Sequence, residues 1–525
     1  MESLVTTHTL ENIDSRSIND FTIHPLLLME HAGVKGFHLF VEQTEKAYLP
    51  HHRLLFVVGG GNNGGDTLVM AREAYLLGIK HIQILLVGTH ISNACNHHRS
   101  ICRKIGLEMH EISFSNNTID DKSNEMLTQA DFIFDGISGT GLRGKMNESM
   151  ALLVSSIKIV HDKGAYVVSV DIPSGCSDTI SPTQPHIICD LSITFGLQKS
   201  ATYHPMSRSS YGKVVKVNPS FPLSLLENAP KSALLATIDD VLLKKNVDSD
   251  YKNKRGHLAL FAGSLTYTGA PKITALSAFH SGVGLVSLYC DEEIAPIIKG
   301  DSISLIIHPV KKGDVISKKS LIDFYDAIAV GPGWQMDREE QLLSLLKASL
   351  PMVCDADGIA TWAQLIADKR IGMKEHCPLI LTPHPGELVR MLEILNMPLL
   401  AQEVQGMGNP ESFIESLTKI AVTFNVVLVY KSHVVWIVDG TENHSIPIVV
   451  DGSNNAMGVG GSGDALTGII ASFLARDYSL GHSALNGVLI HQRAGVMARD
   501  DLRWFDAMRL ITHIGLAYKE REGKE

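Results

Sequence analysis

Two glycine-rich turns hold the residues best suited to do chemistry. In "VVGGGNNGGDTLVMAR", residues 57–72, five glycines and the polar side chains of Asn62, Asn63 and Asp66 stand between an apolar run and a helix-like one. Glycine permits positive φ and a close backbone approach to a ligand, and a helix N-terminus behind it aims free N–H groups at an anion. A tight turn would need the glycines alone; three side chains with fixed hydrogen-bonding geometry exceed that need. In "GVGGSGDALTG", residues 458–468, Gly460, Gly461, Ser462, Gly463 and Asp464 directly precede an apolar-periodic helix. An acid placed there can take a proton from a hydroxyl as its oxygen attacks phosphorus. The bland alternative is an Asp N-cap after a glycine turn. The first turn is neither GxGxxG followed by a distant ribose acid nor GxxxxGK[ST].

Two more turns join the first. "DGISGTGLRG" (135–144) follows a strand ending in Asp135, and "DIPSG" (171–175) repeats that layout one strand on. Strand ends bearing Asn63, Asp135 and Asp171 with Ser174 are expected to converge on one crevice, where open α/β sheets bind ligands. A lone Asp is more often a helix cap, a reading that three together weaken.

The elements that must position these residues show as apolar runs separated by helix-like segments: 54–59, 82–88, 131–137, 166–173 and 191–196. That is the pattern of a buried parallel sheet wrapped by helices, with crossovers expected at about 66–77 and 150–163. Prolines and then charges break the rhythm around residue 230, which suits a domain connection. The alternation restarts at 257–263 and continues through 284–290, 326–333, 352–359, 379–387, 426–432 and 434–440. The expected architecture is α/β in two domains over 1–225 and 230–520, matching a chain of 525 residues that exceeds one ordinary domain.

Composition narrows the function classes. A net charge of −10 without a polybasic tract disfavours nucleic acid and anionic membranes as partners. The first residues carry acids and lack an apolar segment of signal-peptide type, and no run is long enough to span a bilayer. Seven cysteines without a CxxC pair read as reduced packing thiols of a cytoplasmic protein. His51, His52, His97 and His98 lack metal-ligand spacing and are expected to be solvated. No GxSxG elbow occurs.

"GGGNNGGDTLVMAR", "DGISGTGLRG" and "VVSVDIPSGCSDT" together resemble the NAD(P)H-hydrate epimerases, the YjeF N-terminal domain family. The resemblance implies a Rossmann-like three-layer α/β/α domain over 1–225. There Asn62, Asn63, Gly64, Gly65 and Asp66, the loop Gly139, Thr140, Gly141, Leu142, Arg143, Gly144 and Lys145, and Asp171 contact the hydrated dinucleotide. Asn63, Asp135 and Ser174 would hold K+, and Asp171 is the candidate for moving a proton at the hydrated ring carbon. Thr67 stands where the family usually has glycine.

The later segments "KRGHLALFAGSLTYTGAPKITALSAFHSGVGLV", "VGPG", "DADGI", "LTPHPGEL", "VVLVYKSHVVWI" and "GGSGD" recur in the order found in the NAD(P)H-hydrate dehydratases, which are ribokinase-like. That resemblance implies a ribokinase-like α/β domain over 230–520. Ala270, Gly333, His384 and Asp464 would hold the hydrated nicotinamide nucleotide, with Asp464 as base. The donor would lie along Lys431, Ser432, His433, Val434 and Val435 and against Gly463. Glu387 either orients His384 or assists the nucleotide's metal. "GPGWQ" and "KSHVV" depart from the usual "GPGLG" and "KGA", placing Trp334 and bulkier residues nearby.

The resemblances jointly imply a fused repair enzyme acting on NADHX and NADPHX, with ADP or ATP as phosphoryl donor, Mg2+ alongside it, and a homo-oligomeric state. One competing reading is a ribokinase-like vitamin or small-molecule kinase with a regulatory N-terminal domain. A non-catalytic nucleotide sensor or RNA-associated scaffold is a second, though the retained Asp135, Asp171 and Asp464 count against it.

Overall fold

The computed structural model describes residues 1–44, 51–88, 91–139, 144, 146–245, 247–301, 304–311 and 314–522. Two compact units emerge: an N-terminal one of Ser3–Ala233 with Gly406–Phe413, and a C-terminal one of Met1–Glu2, Leu234–Gln405 and Ile414–Glu525.

In the N-terminal unit a parallel sheet runs, in spatial order, Lys213–Val217, Leu191–Phe195, Tyr166–Val170, Phe132–Gly136, Arg53–Val58, His81–Leu86 and Glu108–Glu111. Alternating side chains feed two cores. Leu54, Phe56 and Val58 join Phe37 and Phe40 of the helix Pro25–Gln43 on one face. Leu55 and Val57 join Leu127, Leu153 and Ile157 from the helices Asp121–Gln129 and Glu148–His161 on the other. The period of two along a doubly covered strand thus builds the three-layer Rossmann-like arrangement. Winding reverses between Arg53–Val58 and Phe132–Gly136, the place where such sheets accept ligands.

Among the strands missing from the sequence reading are Glu2–Val5, Glu108–Glu111 and Lys213–Val217. The second has no fully buried residue and the third only one, so neither shows an apolar run. The crossover helix expected from about residue 66 begins at Asn62. His98 is buried rather than solvated, on one face of the helix Asn93–Lys104 with Cys95 and Cys102, and burial lowers its pKa to about 4. All seven cysteines are free and buried.

The C-terminal unit has strands in the order Ala233–Leu235, Ile448–Asp451, Val434–Asp439, Val427–Tyr430, Leu379–Leu381, Met352–Cys354, Ala327–Val330, His257–Phe261, Leu285–Asp291 and Ile306–Val310. From Val427–Tyr430 to Ile306–Val310 every pairing is parallel, while Val434–Asp439 pairs antiparallel to both its neighbours. The reversal here falls between His257–Phe261 and Ala327–Val330. The helix Ser462–Ala475 is buried almost throughout against the same core, which fixes the second glycine turn at its start. Among the described residues no helix is long and apolar enough to cross a membrane.

Candidate functional sites

A cavity of about 610 Å³ opens at the reversal point of the N-terminal sheet, lined by Asn62, Asn63, Asp66, Ser138, Gly139 and Asp171. The first glycine turn forms its floor. Asn62, Asn63 and Gly64 are the first helical residues after Gly61, which offers no side-chain cap, so the N–H groups of that turn stay available to an anion. None of the glycines from 59 to 65 has positive φ, contrary to expectation. Close packing requires Gly59, Gly64 and Gly65 instead: a Cβ on Gly64 would lie 1.9 Å from the Gly59 carbonyl oxygen, whereas one on Gly61 would meet nothing within 4 Å. Thr67 is fully buried, and its hydroxyl donates to the Asn63 carbonyl at 2.8 Å, tying down the first helical turn.

Asp135 is buried at its strand end. Its carboxylate accepts from Ser174 N (2.7 Å), Ser174 Oγ (2.6 Å) and Ile137 N (3.2 Å), so it locks the "DIPSG" turn onto the neighbouring strand. Burial outweighs those bonds and pushes its pKa up to about 6. Asn63 donates from Nδ2 to the Ser138 carbonyl at 3.1 Å, while its Oδ1 is buried without a hydrogen-bond partner, as is Ser138 Oγ. An orphaned amide oxygen beside a buried carboxylate is a donor set of hard oxygens that fits a monovalent cation.

Asp171 follows Tyr166–Val170 with φ of 68°, a strained value for a non-glycine residue at a ligand-facing turn. Its Oδ1 accepts from Lys199 Nζ at 2.6 Å and from Phe195 N at 3.2 Å. Lys199 is 1% exposed and also donates to Thr194 Oγ1 at 2.8 Å. Asp66 has its pKa raised well above the ordinary value by burial first, then by the charges of Asp171 and Asp14. Asp14, which also lines the cavity, lies on the helix Thr7–Asn19, whose first residue donates its N–H to Asp178 of the "DIPSGCSD" stretch.

Sequence reasoning missed Lys199 and Asp14; the available signal was a lysine two residues beyond the apolar run 191–197. Of the expected loop, Gly139 lines the cavity and Gly144 takes a φ of 79°. Thr140, Gly141, Leu142, Arg143 and Lys145 lie outside the described residues.

In the C-terminal unit the ends of adjacent parallel strands present Gly333, Asp355, His384 and Lys431 in succession. Gly333 has φ of 61°, and a Cβ on it would sit 3.0 Å from Ala270 Cβ, so those two expected residues adjoin. Trp334 does not crowd them: it is 1% exposed, turned inward, with the Arg338 guanidinium over its ring at 5.4 Å.

His384 caps the helix Pro385–Ile394. Its Nδ1 accepts from Gly386 N (3.1 Å) and Glu387 N (3.3 Å), and Glu387 Oε2 accepts from His384 N at 2.8 Å. This capping box holds the ring in place, with Nε2 3.4 Å from Glu387 Oε1.

Asp464 is not an N-cap. Gly461, at φ of 90°, occupies the cap of Ser462–Ala475 without a side-chain bond, and Asp464 stands in the first turn beyond it. Lys431 Nζ lies 3.4 Å from where a Gly463 Cβ would be, beside the turn expected to bind phosphate. Burial, then the charge of Asp355, raises the Asp464 pKa to about 6 against the pull of Lys431. Lys431 itself pairs with Asp355 at 2.5 Å and Glu387 at 3.8 Å; burial opposes its charge, but those carboxylates hold its pKa up.

Ser432 Oγ accepts from Val434 N at 3.1 Å within the turn. Val434 and Val435 open a strand with buried side chains, paired with Asp451 and Val450, and the Val434 carbonyl accepts from Ser432 Oγ at 2.6 Å. The His433 carbonyl accepts from Gly452 N at 2.9 Å. Asp355 has no role in the sequence reading beyond marking "DADGI", since only the fold shows what it touches.

Comparison with known proteins finds a family match in each unit. Residues 26–201 match the family of YjeF-related protein N-termini, and residues 258–514 match the NAD(P)H-hydrate dehydratase family. A relative from Dictyoglomus turgidum, a bifunctional NAD(P)H-hydrate repair enzyme Nnr, is 28% identical, with 94% of this chain and 93% of that protein covered. One of the same name from Archaeoglobus fulgidus is 29% identical, covering 90% of each. Among solved structures, an ADP/ATP-dependent NAD(P)H-hydrate dehydratase from Bacillus subtilis aligns with a TM-score of 0.46 at 25% identity, covering 55% of this chain and 99% of that one. An epimerase-type and a dehydratase-type unit thus occur in one chain. The chain matches both families and, over nearly its whole length, the bifunctional NAD(P)H-hydrate repair enzymes.

Proposed function

We infer that this protein repairs hydrated NADH and NADPH in two steps, one in each unit. In the N-terminal unit the R and S hydrates are interconverted at the hydroxyl-bearing ring carbon. Residues Asn62 to Asp66 and Gly139 bind the dinucleotide in the 610 Å³ cavity, with Asp171 moving the proton. Thr140 to Gly144 and Lys145 are included in that binding segment by family resemblance. Asn63, Asp135 and Ser174 would hold K+, whose charge offsets the nearby phosphates.

In the C-terminal unit Ala270, Gly333 and His384 hold the S hydrate while Asp464 takes the proton of its ring hydroxyl. The oxygen is then phosphorylated by ADP, or ATP, carried with Mg2+ along Lys431 to Val435 and Gly463. Phosphorylation is useful because phosphate leaves readily and hydroxide does not; its departure restores the nicotinamide. The observation that carries this reading is the placement of Asp464 in the first helical turn behind the Gly461 cap, with the Lys431 ammonium 3.4 Å from where a Gly463 Cβ would lie and the Asp464 pKa raised to about 6 by burial. Free, buried thiols support a reducing compartment, the cytoplasm.

The test is recovery of the reduced-nicotinamide absorbance from a mixed R/S hydrate with ADP or ATP. A phosphorylated vitamin formed from a precursor and ATP, with no recovery from hydrate, would instead establish a small-molecule kinase.

A further inference from the structure

Asp355 is 2% exposed, and the reaction outlined above gives it nothing to do. Both of its carboxylate oxygens are nevertheless engaged. Lys431 Nζ donates to Oδ1 at 2.5 Å and Thr467 Oγ1 to Oδ2 at 2.7 Å. Thr467 lies one turn beyond Asp464 on the helix Ser462–Ala475. A single side chain therefore ties the strand end carrying the lysine to the helix carrying the proposed base. Packing alone does not call for this arrangement, since a buried ion pair contributes little net stability over apolar groups of the same volume.

We propose that Asp355 is a positioning residue: its buried carboxylate, gripped by Lys431 and Thr467, fixes the ammonium beside the Gly463 turn and governs Asp464 through that fixed charge pair. The proposal rests on the reading of Asp464 as the base. The charged groups acting on Asp464 are Asp355, Glu387 and Lys431. His491, from the helix Leu480–Asp501, donates from Nε2 to the Ser462 carbonyl (3.0 Å) and is kept neutral by burial, which lowers its pKa to about 4. His384 borders Glu387 at 3.4 Å. The helices Gly269–His280 and Ala507–Glu522 present Ile273 and Ala507 to the same turn.

The sign follows from the charges. With Asp355 neutral, Asp464 loses a repelling carboxylate and Lys431 is released toward it, and both changes favour its ionised form. With Lys431 neutral, Asp464 loses its compensating cation and faces Asp355 and Glu387 alone.

The experiment is the pH dependence of kcat/KM for S-hydrate dehydration by the full chain, since the nucleotide's own titration is common to every variant. Asp355→Asn should move the acid limb about one pH unit lower, and Lys431→Met should move it higher by a similar amount. The double variant should return toward the wild-type position. Melting temperatures report whether each variant folds; if Asp355→Asn does not, the upward displacement in Lys431→Met carries the test alone. An acid limb that stays in place while activity falls equally at every pH overturns the proposal. Full activity in Asp464→Asn would instead overturn the assignment of the base, so the two failures are distinguishable.

Discussion

The two sites use the same parts and place one of them differently. Each has a lysine paired to an aspartate at a parallel strand end, the buried Lys199 with Asp171 at 2.6 Å and the partly buried Lys431 with Asp355 at 2.5 Å. Each adds further carboxylates: Asp14 and Asp66 in the first, Glu387 and Asp464 in the second. In the N-terminal site the cation sits on the acid proposed to move the proton, and burial raises the pKa of the neighbouring Asp66. In the C-terminal site the cation sits on a neighbour of the proposed base, whose own pKa burial displaces to about 6. Burial is the largest cause in both, and the lysine enters only at Asp464, where it opposes the rise. The backbones differ too. Close packing dictates Gly59, Gly64 and Gly65 of the first turn, whereas the second needs a left-handed residue, Gly461, at its helix cap.

Substitutions can separate the two sites. The largest effect is expected from Asp464→Asn: recovery of both epimers should fall by about 10²–10⁴-fold, the usual contribution of a general base. Asp171→Ala should leave the S hydrate repaired at the wild-type rate and slow the R hydrate to its spontaneous epimerisation. Equal loss of both epimers in the two variants would break the separation.

A smaller effect concerns stability. Gly64→Ala should lower it by about 1–3 kcal/mol in thermal melts, because the new Cβ meets a backbone carbonyl that cannot move aside. Gly460→Ala, where a Cβ meets nothing within 4 Å, should change stability by less than about 0.5 kcal/mol while raising KM for the nucleotide. The pH response should also differ. Asp464 must be ionised to accept a proton, so dehydration is expected to decline as pH drops through about 6, a limb that Asp464→Asn removes.

Much of the architecture was legible in the chain because strands buried on both faces read as continuous apolar runs, as in 54–59 and 352–359. Glu108–Glu111 and Lys213–Val217 escaped because strands with few buried residues carry no such signature. The helix start at Asn62 was missed for a related reason: glycines argue against helix unless one knows that Gly59 and Met29 lie against them. His98 was misplaced because nothing in "NHHRS" shows which ring faces the core.

Local order, the two glycine turns and the identities of the acids were determined by the sequence, because turn chemistry and hydrophobic period act over a few residues. Pairing Lys199 with Asp171, and Lys431 with Asp355 and Thr467, was left to the tertiary structure. Those partners come from separate strands and helices, and the cost of burying a charge is settled only when distant segments meet.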